Sequence, residues 1–146
     1  ETAVALPAAH APPPEAAAAA RPGRILLVED SEANQHLFAI GLQRAGHEVR
    51  IAGDGQAALE ALQQERFDLI LMDGEMPVMN GPDAARAIRA SGAPHAGIPI
   101  IALTANAMAR DAAAFRAAGM DDFLAKPVSL RQLQEKVAEW LQRRRD

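Results

Sequence analysis

Asp68-Leu-Ile-Leu-Met-Asp73 is a run of four bulky apolar residues with a carboxylate at each end. A continuous apolar run of this length suits a strand buried on both faces, although the run alone does not separate a strand from a buried helix. Its companions along the chain decide. Arg24-Ile-Leu-Leu-Val28, Glu48-Val-Arg-Ile51, Ile98-Pro-Ile-Ile-Ala-Leu103 and Asp122-Phe-Leu-Ala125 repeat the theme. Helix-like segments follow each run: Ser31 to Ala45, Gly55 to Glu65, Pro82 to Ala90, Ala107 to Ala118 and Ser129 to Arg143. Ala45-Gly46, Ser91-Gly92 and Ala118-Gly119 read as helix stops, with glycine available for a left-handed cap. Asp30 or Ser31, Asp54 and Ser129 read as starts. Continuous apolar strands separated by helices, joined by right-handed crossovers, predict an α/β fold, a doubly wound five-stranded parallel sheet with five helices.

The whole chain has 146 residues, one domain's worth, with 15 Lys and Arg against 19 Asp and Glu, a formal net charge of −4. That balance argues against direct nucleic-acid binding. The absence of cysteine removes disulfides, thiol nucleophiles, cysteine zinc sites and iron–sulfur clusters. The longest apolar run, Ala16 to Ala20, is far short of the roughly 20 residues of a membrane span. No membrane contact by this domain is expected. Residues 1–22 contain 10 Ala and 5 Pro and read as an Ala/Pro-rich flexible linker, because so little bulky apolar surface cannot offset ordering entropy. The domain proper is expected over residues 23–146. A start at Glu1, with no basic region followed by a hydrophobic core, suggests a piece of something larger rather than a leader sequence.

Open parallel sheets bind ligands beyond the C-terminal ends of their strands. The first strand ends in Glu29-Asp30, the third in Met72-Asp73, the fourth in Leu103-Thr104 and the fifth in Ala125-Lys126-Pro127. Three acids, a hydroxyl and an ammonium therefore converge on one rim. Three carboxylates in one cleft repel by several kcal/mol unless a cation joins them, and hard oxygen donors without His or Cys point to Mg²⁺, with Mn²⁺ as a substitute. A metal beside a Lys charge and a Thr hydroxyl suits the oxygens of a phosphoryl group. Asp73 is the candidate acceptor, because a carboxylate can attack phosphorus and it alone lies between the acid pair, Thr104 and Lys126.

Val28-Glu29-Asp30, Leu71-Met-Asp73-Gly-Glu-Met-Pro-Val-Met-Asn-Gly81, Ala102-Leu-Thr-Ala-Asn106 and Gly119-Met-Asp-Asp-Phe-Leu-Ala-Lys-Pro127 resemble the two-component response-regulator receiver domain, of the type attached to hybrid sensor histidine kinases. The resemblance covers about residues 24–143 and implies a flavodoxin-like receiver topology. It further implies that Asp73 takes a phosphoryl group from a phosphohistidine, and that Asp30, Asp73 and the backbone carbonyl of Glu75 bind Mg²⁺, with Glu29 helping through water. Thr104 and Lys126 would hold phosphoryl oxygens. Thr104 and the aromatic Phe123 would form the switch that reshapes the face of the fourth helix, fifth strand and fifth helix. The implied partners are histidine kinase dimerisation and phosphotransfer helices, or a histidine phosphotransfer protein. They would meet Asn34, Gln35, Phe38, Pro127 and Val128, with Phe38 preferred over Leu37 because Leu37, Ile40 and Gly41 share one helical stripe. By the same resemblance the domain is cytoplasmic and catalyses only its own phosphorylation and dephosphorylation, while its parent, a hybrid kinase, carries the transferase activity and any membrane anchor.

Gly74 and Glu75 depart from the commoner pattern of a larger residue followed by glutamine. Glu75 with Asn106 is expected to set the aspartyl-phosphate lifetime by biasing the attacking water. Taken singly, Glu29-Asp30 also suits helix capping, Thr104 a strand end and Lys126-Pro127 a surface turn; only their joint placement argues for a site. Phosphate loops, GxGxxG and sensor-kinase boxes are missing from the sequence, so the phosphodonor lies elsewhere. A stand-alone single-domain regulator and an aspartate-nucleophile phosphatase of the haloacid dehalogenase type remain as alternatives. The second normally carries Asp-x-Asp on its first strand, which this chain lacks. A flavin site is disfavoured by the acidic rim and by one Trp with no Tyr.

Overall fold

The computed structural model describes residues 23–74, 81–91, 97–105 and 109–145. The expected linker over 1–22 lies outside the described residues. Strands β1 (Arg24–Val28), β2 (Glu48–Ala52), β3 (Leu69–Asp73), β4 (Ile100–Thr104) and β5 (Asp122–Ala125) alternate with helices α1 (Glu32–Arg44), α2 (Gly55–Gln64), α3 (Gly81–Ala90), α4 (Ala109–Ala117) and α5 (Leu130–Arg145). All pairings are parallel, in the order β2-β1-β3-β4-β5. The parallel sheet is the one the apolar runs predict, its flavodoxin-like order is the one the resemblance implies, and its switch point lies between β1 and β3.

Side chains alternate along a strand, so continuous apolar runs fill two cores. Ile25, Leu27, Leu69, Leu71, Ile101 and Leu103 turn to one face and meet Phe38 and Leu42 of α1 and Leu133, Val137 and Leu141 of α5. Leu26, Val28, Ile70, Met72, Ile100 and Ala102 turn to the other, beneath residues of α2, α3 and α4 such as Leu62, Ile88 and Phe115. Each large side chain so buried contributes roughly 1.5–3 kcal/mol. Together these layers fix where the strand ends stand.

Local chemistry sets the helix ends. Ser31 and Asp54 cap α1 and α2 through side-chain oxygens that accept from Asn34 N and Ala57 N. Ser129 Oγ accepts from Gln132 N at 3.1 Å, while Gln132 Oε1 accepts from Ser129 N at 3.1 Å, a reciprocal box before α5. Gly46 and Gly119 hold φ of 97° and 101°, the left-handed region expected after α1 and α4. Gly92 is outside the described residues. Three strands run one residue further than the apolar pattern suggests, β2 to Ala52, β3 to Asp73 and β4 to Thr104, so Asp73 and Thr104 close their strands from within the ladder.

One expectation is corrected. Phe38 is only 3% exposed and lies in the core, whereas Leu37 and Ile40 are 47% and 45% exposed. Helix α1 carries two adjacent apolar stripes. Phe38 and Leu42, four apart, face the sheet, while Leu37 and Ile40, three apart, are left outside. Helix α1 also approaches α5 closely at Gly41, where an added Cβ would stand 2.7 Å from Leu130 Cδ2.

At the opposite edge of the sheet from the strand C-termini, Arg89 of α3 joins the loops that enter β4 and β5. Its guanidinium donates to the carbonyl oxygens of Ile98 (2.6 Å) and Gly119 (2.9 and 2.7 Å) and to Asp121 Oδ2 (2.8 Å). Gly119 faces this arginine, and a Cβ there would meet Arg89 Cγ at 2.7 Å. Gly119→Ala combines left-handed strain of about 1–2 kcal/mol with displacement of that guanidinium and is expected to cost about 2 kcal/mol or more in urea unfolding. Gly53→Ala, in open space, should be close to neutral in the same assay.

Candidate functional site

The site grows from backbone ladders that continue past the strand ends. Glu29 N donates to Ala52 O (3.0 Å), Gly74 N to Leu103 O (2.8 Å) and Lys126 N to Thr104 O (2.8 Å). These bonds hold the residues beyond β1, β3 and β5 on the same rim as Thr104. The peptide between Lys126 and Pro127 is cis.

Glu29, Asp30 and Asp73 each offer a carboxylate oxygen within 4.8 Å of the others. Asp73 is buried, and Lys126 Nζ donates to its Oδ1 at 2.9 Å. Thr104 is fully buried at the end of β4, where it pairs in register with Ala125, the residue before Lys126. Asp30 is exposed. The acids, the hydroxyl and the ammonium expected from sequence therefore share one rim. Glu75 and Asn106 lie outside the described residues.

Glu29 is the least comfortable member. It is 1% exposed; its Oε2 accepts from Ser31 N at 3.1 Å, and its Oε1 is buried with no hydrogen-bond partner among the described residues. Burial, reinforced by the neighbouring Asp73 carboxylate, pushes its pKa up to about 7 against the opposing pull of the Ser31 amide and Lys126. At an effective dielectric near 20, unit charges about 5 Å apart repel by roughly 3 kcal/mol. Among the described residues of this rim, three acids face one ammonium, which leaves a surplus of negative charge that grows as Glu29 ionises. A divalent cation with hard-oxygen preference fits this donor set, and the Glu29 oxygen that has no partner among the described residues marks where compensation is needed.

Phe123 lies opposite Ala102 in the ladder and packs, partly buried, on the core beneath α2, α3 and α4. Its neighbour Asp122 has a role that sequence reasoning missed. Trp140 Nε1 donates to Asp122 Oδ2 at 2.9 Å, Lys136 Nζ lies 3.0 Å from the same oxygen, and Phe123 N donates to Oδ1 at 2.8 Å. Burial alone would raise the Asp122 pKa, but these three donors outweigh it and hold it below the ordinary value. The Asp122 carboxylate thus ties β5 to α5. No short-range spacing announces the pairing, since Asp122 and Trp140 are 18 residues apart. Arg143 lies over the Trp140 ring at 4.6 Å.

Among the partner-face residues, Asn34 and Val128 are half-buried and Pro127 is exposed. Gln35 is also half-buried, and its amide Nε2 donates to Glu29 O at 2.6 Å. Among the described residues, no helix is long and apolar enough to cross a membrane.

The family model of the response regulator receiver domain matches residues 25–138. Over 122 residues the chain is 47% identical to "Sensor protein GacS" of Pseudomonas syringae pv. syringae, covering 82% of this chain and 14% of that protein. It is 39% identical over 118 residues to the CAI-1 autoinducer sensor kinase/phosphatase CqsS of Vibrio cholerae, covering 81% of this chain and 17% of that one. The chain thus spans less than a fifth of these relatives' length. Among solved structures it resembles the receiver domain of sensor histidine kinase PA1611 of Pseudomonas aeruginosa PAO1, described with a magnesium ion coordinated in its active site cleft. That match has a TM-score of 0.75 and 41% identity, and covers 82% of this chain and 98% of the other. Chemotaxis protein CheY4 of Vibrio cholerae matches with a TM-score of 0.76 and 33% identity over 80% of this chain and 96% of the other.

The raised pKa of Glu29 has a signed consequence for stability. Between its ordinary value of 4.5 and about 7, the folded state keeps a proton that the unfolded chain releases, so metal-free stability falls as pH rises through that window. Glu29→Gln removes this component. In thermal melts with chelator, the variant is expected to gain more over wild type at pH 8 than at pH 5; an equal gain at both would contradict the assignment.

Proposed function

Because the chain belongs to the response-regulator receiver-domain family, we propose that it accepts a phosphoryl group from a phosphohistidine onto Asp73, as the receiver of a hybrid sensor histidine kinase in a phosphorelay. The observation that carries this reading is the gathering of the Glu29, Asp30 and Asp73 carboxylates within 4.8 Å, with Lys126 Nζ 2.9 Å from Asp73 Oδ1.

In the proposed reaction an Asp73 carboxylate oxygen attacks phosphorus, the N–P bond of the donor breaks, and the released imidazole takes up a proton. Lys126 holds Asp73 Oδ1 before transfer and meets a phosphoryl oxygen after it. Thr104 supplies a hydroxyl to another. Glu29, Asp30 and Asp73 would hold Mg²⁺, with the Glu75 carbonyl completing the set; the cation supplies charge neutralisation for the transferred group. The same oxygen donors suit Mn²⁺, which can be assayed alongside. Thr104 and Phe123 form the switch, and Glu75 with Asn106 sets the lifetime of the aspartyl phosphate.

The isolated domain, residues 23–146, then catalyses only its own phosphorylation and dephosphorylation. Residues 1–22 serve as linker to a parent kinase, in the cytoplasm. The partner is a histidine-bearing helical element that meets α1 and the turn after Lys126. Asn34, Pro127 and Val128 remain on that face, and the exposed Leu37 and Ile40 replace the buried Phe38 as its apolar contacts.

Intact-protein mass after incubation with a small-molecule acyl phosphate tests the reading. The expected result is a gain of one phosphoryl group that requires Mg²⁺ and vanishes in Asp73→Asn. A folded, Mg²⁺-binding wild type that gains no mass, even when quenched rapidly, would refute it.

A further inference from the structure

Gln35 belongs by resemblance to the surface that meets a partner, yet its amide is turned inward. We propose that Gln35 is a positioning residue for the cation site: by donating Nε2 to Glu29 O at 2.6 Å it fixes the peptide that joins Glu29 to Asp30. This inference rests on the phosphoacceptor reading above and assigns a role within the same site.

The geometry is a closed circuit. Glu29 is the last residue held by the sheet, through its amide on Ala52 O. Asp30 follows it, exposed, and Ser31 then caps α1 by accepting from Asn34 N at 3.4 Å. Ser31 N returns to Glu29 Oε2 at 3.1 Å, and Ser31 O accepts from Gln35 N at 2.9 Å. The Gln35 side chain closes the circuit on the one carbonyl that lies between the two acids. Rotation of that peptide swings the Asp30 carboxylate relative to Glu29, because the peptide plane joins the Cα atoms from which the two side chains spring. With the donor in place the rotation breaks a hydrogen bond; without it, water can solvate the carbonyl in several orientations.

The arrangement also explains why α1 can hold the site from one side. Asp73 follows Leu69 and Leu71, which face α1 and α5, so by strand alternation its side chain turns to the α1 side of the sheet. The residue that fixes the acid pair therefore comes from the helix covering that face. Groups behind the ligands of a metal commonly change affinity by about tenfold or more when removed, through orientation rather than contact.

Mg²⁺ affinity by titration calorimetry, with wild type, Gln35→Met and Gln35→Ala, is the test. Methionine keeps the length and removes the donor; alanine removes both. The expected result is Mg²⁺ binding weakened by about tenfold in both variants. Phosphorylation by the small-molecule donor should slow at low Mg²⁺ and recover at saturating Mg²⁺. In metal-free protein the Ser31 amide should exchange faster in Gln35→Met. Unchanged Mg²⁺ affinity overturns the inference, whether or not a variant melts earlier. Unchanged affinity together with slower transfer from a phosphohistidine protein would make Gln35 a partner contact instead. Failure of the wild type itself to bind Mg²⁺ or gain mass would overturn the phosphoacceptor reading, and this inference with it, a pattern distinct from any variant-specific loss.

Discussion

Three carboxylates held within 4.8 Å of one another are the constraint around which this molecule is organised. No short peptide would keep them there, because their mutual repulsion in a partly buried rim exceeds what local hydrogen bonds return. The sheet does it instead. Two apolar layers, one under α1 and α5 and one under α2, α3 and α4, clamp five parallel strands so that their ends cannot drift apart. The stability of those layers is what allows Glu29 to stay buried with an unpartnered oxygen among the described residues and a pKa near 7. Lys126 offsets part of the charge through Asp73, and the remaining acids make a donor set that fits a hard divalent cation.

The rim and the opposite edge of the sheet divide the labour. At the opposite edge, ion pairs and charge-assisted hydrogen bonds join the elements: the Arg89 guanidinium ties the entries of β4 and β5, and Arg24 bridges Glu48 and Glu65 beside the ring of Phe67. At the rim, the carboxylates of Glu29, Asp30 and Asp73 gather around the ammonium of Lys126. Between them, the Asp122 carboxylate joins the strand of Phe123 to Trp140 and Lys136 on α5. A displacement of β5 at Phe123 would be felt at Lys136 and Trp140 of α5 through that carboxylate.

Several features are legible in the amino-acid sequence because their signals are local. Apolar runs bounded by glycine stops and Ser or Asp caps mark the five units, and Gly46 and Gly119 adopt the left-handed φ their positions suggest. The acidic pair after β1, the Asp closing β3, the Thr closing β4 and the Lys after β5 can be placed on one rim from the rule that parallel strands end on one side. The choice between the two apolar stripes of α1 cannot be made this way. Phe38 and Leu37 are neighbours with similar transfer free energies, and only the placement of α1 against the sheet and Leu130 decides which is inside. Gln35 carries no visible sign either, since a glutamine in a first helical turn serves equally well facing water.

By itself, then, the sequence determined the fold class, the order of its elements and the set of residues at the strand ends, because periodicity, capping and turn chemistry act over a few residues. The tertiary structure alone decided which of those residues are buried, which share hydrogen bonds and which carry uncompensated charge. Burial, dielectric and partner distance are set by segments remote in sequence, as with Lys126 on Asp73, Arg89 on Gly119 and Trp140 on Asp122. A residue's type fixes the chemistry it can perform; the packing of the other layers fixes its charge state, its orientation and therefore its use.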